Sequence, residues 1–167
     1  AASGELAFVL EGHTGPVSSA CFSNDGQLLV TASADGTARI WGAAAGACSR
    51  TLAAEELAGR LAEVRYASFS PDGRHIITAV ADGDAIIWAV DGGECALSLE
   101  GHVGEAWCAA FSPGGQLAIT ASLDGTAKVW SLDGGDCVIT LHGHAGPVWS
   151  AVLRLQGRQE EPPDGVA

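Results

Sequence analysis

The sequence predicts an all-β protein built from tandem four-stranded units, and three observations carry that prediction. First, three segments align in phase: CFSNDGQLLVTASADGTARIW, SFSPDGRHIITAVADGDAIIW and AFSPGGQLAITASLDGTAKVW. Second, their landmark residues recur at the same two intervals. Phe22, Phe69 and Phe111 are spaced by 47 and 42 residues, as are Trp41, Trp88 and Trp130, and Cys48, Cys95 and Cys137. Third, Gly-His pairs precede the first and third segments, at Gly12-His13 and Gly101-His102, and another pair, Gly143-His144, opens a further unit. Periods of about 40–45 residues with a Gly-His and a late Trp are the sequence mark of propeller blades.

Each element follows from local chemistry. Val17 to Phe22 alternates around small residues and stops at the turn cluster Ser23-Asn24-Asp25-Gly26. Leu28 to Ser33 is a β-branched and apolar run closed by Asp35-Gly36, Thr37 to Trp41 is a third strand, and Ala47 to Leu52 a fourth after the loose connection Gly42 to Gly46. The second unit is longer by five residues, and the insertion coincides with AAEELAGRL, 53–61, where a short helical turn or bulging loop is expected. Three whole blades are read at 17–52, 64–99 and 106–141. Partial strands are expected at 6–10, as the outer strand of a preceding blade, and at 147–153, opening a following one. Residues 154–167 break the pattern with Glu160, Glu161, Pro162 and Pro163, and are expected to be a disordered or non-repeat tail. The domain thus spans 6–153, an open arc of three blades. A ring needs about four to eight, so the chain, which lacks Met and starts at Ala1, reads as a fragment completed by further blades or by another subunit.

These units resemble WD40 repeats. The family pattern is a Gly-His, a Ser or Thr in the second strand, an Asp in the next turn, and a Trp ending the third strand. The first unit supplies His13, Thr31, Asp35 and Trp41, and the third supplies His102, Thr120, Asp124 and Trp130. The second keeps Thr78, Asp82 and Trp88, with Arg60 where the histidine belongs, and His144 is the histidine of the fourth. None of the three tryptophans is followed by the eponymous Asp: the followers are Gly42, Ala89 and Ser131. Some family members recruit a ubiquitin-ligase adaptor through that Asp and a basic residue two positions later, a role to which this sequence is unsuited.

His, Thr and Asp recurring together resemble a nucleophilic triad. Repetition decides against catalysis: an enzyme needs one site, whereas a structural relay is copied into every blade. Polar groups buried between packed sheets need such partners. Arg60 has donors only and cannot bridge Asp82 to Thr78, so the second blade is expected to be locally the weakest. His142 and His144 lack companions at metal-ligand spacing, the Asp-Gly pairs fit hairpin turns better than calcium loops, and no phosphate loop is visible. No metal, no cofactor and no enzymatic activity are expected.

Trp107 and Trp149 stand outside the Trp41 series. Both lie five residues after a Gly-His histidine, the position of Ser18 in the first unit and Arg65 in the second. In the family this position faces the upper surface used for binding, bordered here by Glu105 and Leu123. Arg65, Glu105, Trp107, Leu123 and Trp149 are therefore the expected partner contacts, with packing against the neighbouring blade as the alternative for the tryptophans. Aromatic and Arg side chains are the usual interface anchors.

Composition narrows the partner class. Eight Lys and Arg against 20 Asp and Glu give the 167-residue chain a net charge of −12, which repels phosphate backbones and anionic lipid. No apolar run reaches membrane-spanning length, so neither nucleic acid nor membrane is the expected partner. Five cysteines form no CxxC pair; an odd count of free, buried thiols suits a reducing, intracellular and cytoplasmic setting. The expected function is a non-catalytic scaffold or adaptor for other proteins. The alternative is a regulatory or sensor propeller segment of a larger NTPase or kinase, which an upstream phosphate loop would reveal.

Overall fold

A computed structural model describes residues 6–53 and 62–154. Twelve strands run in order: β1 (Val17–Phe22), β2 (Leu28–Ser33), β3 (Thr37–Gly42), β4 (Cys48–Ala53), β5 (Val64–Phe69), β6 (His75–Val80), β7 (Ala85–Ala89), β8 (Cys95–Leu99), β9 (Ala106–Phe111), β10 (Leu117–Ser122), β11 (Ala127–Ser131) and β12 (Cys137–Leu141). They form three antiparallel sheets, β1-β2-β3-β4, β5-β6-β7-β8 and β9-β10-β11-β12, in which sequence neighbours pair. Each is a meander whose register the tight turns and the buried alternation set together.

The three blades stand side by side, with the inner strand β5 flanked by β1 and β9. Strands alternate their side chains between two faces, and a middle blade buries both. Accordingly Ile76 joins Val30, Ile40 and Leu52 in the cluster between blades one and two, while its neighbour Ile77 joins Leu99, Ala109 and Trp130 in the cluster between blades two and three. A third cluster sets Val148 against Cys108, Ala121 and Ala127 of blade three. The small residues at these seams let the sheets approach closely.

Two expectations are corrected. Residues 6–10 and 147–153 form no strand, because backbone donors and acceptors make a ladder only with a neighbouring strand, and none flanks them among the described residues. They nevertheless follow the repeat. Phe8 and Leu10 lie against Gly46 of blade one as Arg50 of β4 lies against Gly93 and Leu97 of β8 against Gly135. At the other end, the Val148 N–H donates to the Ser122 carbonyl at 2.9 Å. The thiols are free, but they are not a buried set: Cys108 is buried, Cys21 and Cys95 are half-buried, and Cys48 and Cys137 are exposed, since the outer strands that carry the last two lack a covering layer. The insertion at 54–61, with Arg60, and the tail from 155 onward lie outside the described residues.

Candidate functional site

Two polar constellations occupy the end of the blades where β1, β5 and β9 begin. The first is the relay. In blade one the Trp41 indole donates to the Thr31 hydroxyl at 2.8 Å, Thr31 Oγ1 lies 2.7 Å from His13 Nε2, and His13 Nδ1 lies 2.8 Å from Asp35 Oδ2. Blade three repeats the chain through Trp130, Thr120, His102 and Asp124 at 2.9, 2.7 and 2.8 Å. The indole donates to the hydroxyl oxygen, and in blade three, with a neutral ring, the hydroxyl proton goes to His102 Nε2 while the Nδ1–H donates to the Asp124 carboxylate. Burial holds His102 below its ordinary value against the opposing pull of Asp124.

The carboxylates are the hubs. Asp35 also accepts from the Thr14 N–H and from both the N–H and the hydroxyl of Thr37, and Asp124 from the equivalent Val103 and Thr126 groups. Burial raises both carboxyls, but these hydrogen bonds outweigh it and hold each well below the usual carboxylate range. Glycine makes the approach possible. Gly101 has φ +142°, and a Cβ on Gly104 would stand 2.9 Å from the Asp124 nitrogen.

Blade two is different. Trp88 donates to Thr78 at 2.9 Å, but the Thr78 hydroxyl turns to the Ile86 carbonyl at 3.3 Å, and Asp82 accepts from the Asp84 N–H at 3.2 Å. His144 is a correction: it is exposed, with no relay around it, because no strand bearing a Thr and a turn Asp follows it among the described residues. Thr37, Thr126, Ser33 and Ser122 are network members that motif reading missed. The two serines each accept from the N–H of the turn Asp, Asp35 or Asp124, and donate to the Gly15 or Gly104 carbonyl. Their signal was present, a Ser-x-Asp-x-Thr spacing in the first and third units that reads Val80, Asp82, Asp84 in the second.

The second constellation is the rim. In each blade the inner strand slips register at one residue, so that Ser18, Arg65 and Trp107 are passed over in pairing with the second strand. These are β-bulges, which re-aim a side chain out of the alternation. Ser18 folds back on the Ala32 and Val64 carbonyls. Arg65 reaches over the next blade: its guanidinium stands 4.8 Å from the Trp107 ring and pairs with Glu105 at 3.0 Å and with Glu63. Trp107 meets Trp149 edge to face, centroids 4.7 Å apart and planes at 80°. Trp107 is half-buried, with its indole N–H enclosed and lacking an acceptor, while Trp149 is 57% exposed. Leu123 is half-buried, its N–H bound to the Glu105 carbonyl.

The family model described as "WD domain, G-beta repeat" matches residues 4–42, 46–89 and 93–131, together most of the chain. The chain belongs to the WD40 repeat family. Each match ends at or just beyond the Trp of a blade, so the model's periodicity coincides with the observed sheets. No curated protein matches the chain. WD40 repeats generally mediate protein–protein interactions and are typically non-catalytic. Within this WD40 chain the His and Asp side chains of the relay are almost fully buried. Among the described residues, no group of three or more His, Cys, Asp or Glu is placed to hold a metal ion, and no helix is long and apolar enough to cross a membrane.

Proposed function

We propose that this chain is a scaffold segment that holds a partner protein on its rim, with Trp149 as the anchor. The observation that carries the reading is the exposed Trp149 ring, set edge to face against Trp107, over which Arg65 lies with its guanidinium paired to Glu63 and Glu105. A pre-positioned aromatic loses little side-chain entropy on binding, and such residues dominate interface energetics. The rim is acidic on balance, one guanidinium against Glu63 and Glu105, within a chain of net charge −12. It suits a segment that offers an apolar group beside a basic residue. Arg65 is spent within the rim and acts as a positioning residue. Five free thiols, two of them exposed, support a reducing, intracellular setting.

The test compares proteins retained by the immobilised chain and by its variants, beside thermal melts of each. Trp149→Ala is expected to weaken retention by about 2 kcal/mol or more, the usual loss at an interface anchor, with the melting midpoint unchanged. Trp107→Ala, half-buried, is expected to lower both. Unaltered retention by Trp149→Ala overturns the reading.

A further inference from the structure

The repeat provides an internal comparison at the opposite end of the blades, where β5 and β9 finish. Between blades one and two, two ties close the seam. The Asn24 side-chain amide donates to the Pro71 carbonyl at 2.7 Å, and the Arg50 guanidinium donates to the carbonyls of Gly92, at 3.0 Å, and Asp91. Between blades two and three the equivalent positions are Pro71 and Leu97. Proline at that place has no donor, and leucine has none either. The ties are gone, and a cleft of about 320 Å³ remains.

Its walls are Ile87 and Leu97 from blade two and Phe111 and Leu132 from blade three, with Pro71 and Asp72 at one side. Asp72 is the one carboxylate in the lining, which also includes His75, and the positive charge of the neighbouring Arg74 acts on Asp72 from outside the cleft. Hydrogen bonds from the Ser70 hydroxyl and the Arg74 N–H hold that carboxyl below its ordinary range, so it is ionised at neutral pH and exposed. The volume lies at the lower end of ligand sites, which span about 300–1,000 Å³. That suits one large side chain better than an extended cofactor.

We infer that this cleft is a second docking site, taking a partner segment that inserts one large apolar side chain and sets a Lys or Arg beside Asp72. Apolar walls supply the anchor through burial, and the carboxylate at the mouth, in a chain of net charge −12, selects a basic flank over an acidic one. The site stands apart from the rim: Trp107 lies near the start of β9, and Phe111 is its last residue.

Two substitutions close the cleft with the molecule's own solution, since Leu97→Arg and Pro71→Asn copy the residues that seal the first seam. The probes are acetylated pentapeptides, Ala-Lys-Phe-Lys-Ala, Ala-Lys-Ala-Lys-Ala and Ala-Glu-Phe-Glu-Ala, titrated into the ¹⁵N-labelled full chain. The Lys-Phe-Lys peptide is expected to shift the amides of Leu97, Phe111, Gly115 and Leu132. It should bind at least about tenfold more tightly, about 1.4 kcal/mol, than either other peptide. Each closing variant should weaken it by the same factor with an unchanged or higher melting midpoint, and if one variant melts early the other supplies the reading. Asp72→Asn should reduce the preference for Lys over Glu flanks. Trp149→Ala should leave all three affinities unaltered, which separates this site from the rim. No localised shifts at millimolar peptide, full affinity in both closing variants, or equal binding of the Glu-flanked peptide overturns the inference.

Discussion

Asp35 and Asp124 each accept four hydrogen bonds, and most of the relay's energetics follow from that. Asp124→Ala strands the His102 Nδ1–H and the Thr126 N–H and hydroxyl in a part-buried site, at a cost of about 1–3 kcal/mol. A urea unfolding curve should show the lower midpoint, and an unmoved midpoint would refute the relay's structural role. Protons act on the same residues. Because burial lowers the His102 value, the unfolded chain binds a proton that the folded chain refuses. The stability from that neutral ring is therefore complete above about pH 6.5 and declines as pH falls. The depressed aspartates add a lower window: their contribution is present above about pH 4 and drains away below it. The expected outcome is a urea midpoint that drops between about pH 7.5 and 5.5, with a shallower drop in His102→Asn. Parallel slopes for the two proteins would count against it.

Among the elements, the strands of all three blades were legible because turn residues and apolar runs alternate in the sequence with little ambiguity, as at Ser23 to Gly26 and Leu28 to Ser33. The relay of blades one and three was legible through the resemblance to WD40 repeats. The rim was read only in part. Trp107 and Trp149 stood out as extra tryptophans, but the bulges that re-aim Ser18, Arg65 and Trp107 leave no composition signal, since no Gly or Pro marks them. Nor could spacing reveal that Arg65 is held by Glu63 and Glu105, a contact between blades. The second blade also reads differently in three dimensions. Motif counting makes it the weakest, yet Ile76 to Val80 of β6 are as fully buried as Ala118 to Ser122 of β10, so apolar burial supports both strands alike. Hydrogen exchange should find the amides of Ile76 to Thr78 protected at least as well as those of Ile119 and Thr120. Earlier opening of β6 would restore the importance of the missing histidine.

At the scale of the whole chain, the blades leave two unlike flanks. Val17 and Phe22 are exposed on the first, and Val138, Ile139 and Leu141 on the last, an apolar character suited to further blades. The seams between blades are unlike as well. The first is fastened along its length, by Ser18 to the Val64 carbonyl, Ser19 to the Ala67 N–H, and the Asn24 and Arg50 ties beyond. The second is fastened by Arg65 to Glu105 at one end and Ser68 to the Ala109 carbonyl midway, and is open at the other end. A plate clamped along its whole edge resists rotation about that edge, whereas one held at a corner swings about it. The arc is therefore expected to bend more readily between blades two and three than between blades one and two, a motion that would widen the cleft and tilt Trp107 and Trp149 relative to Arg65.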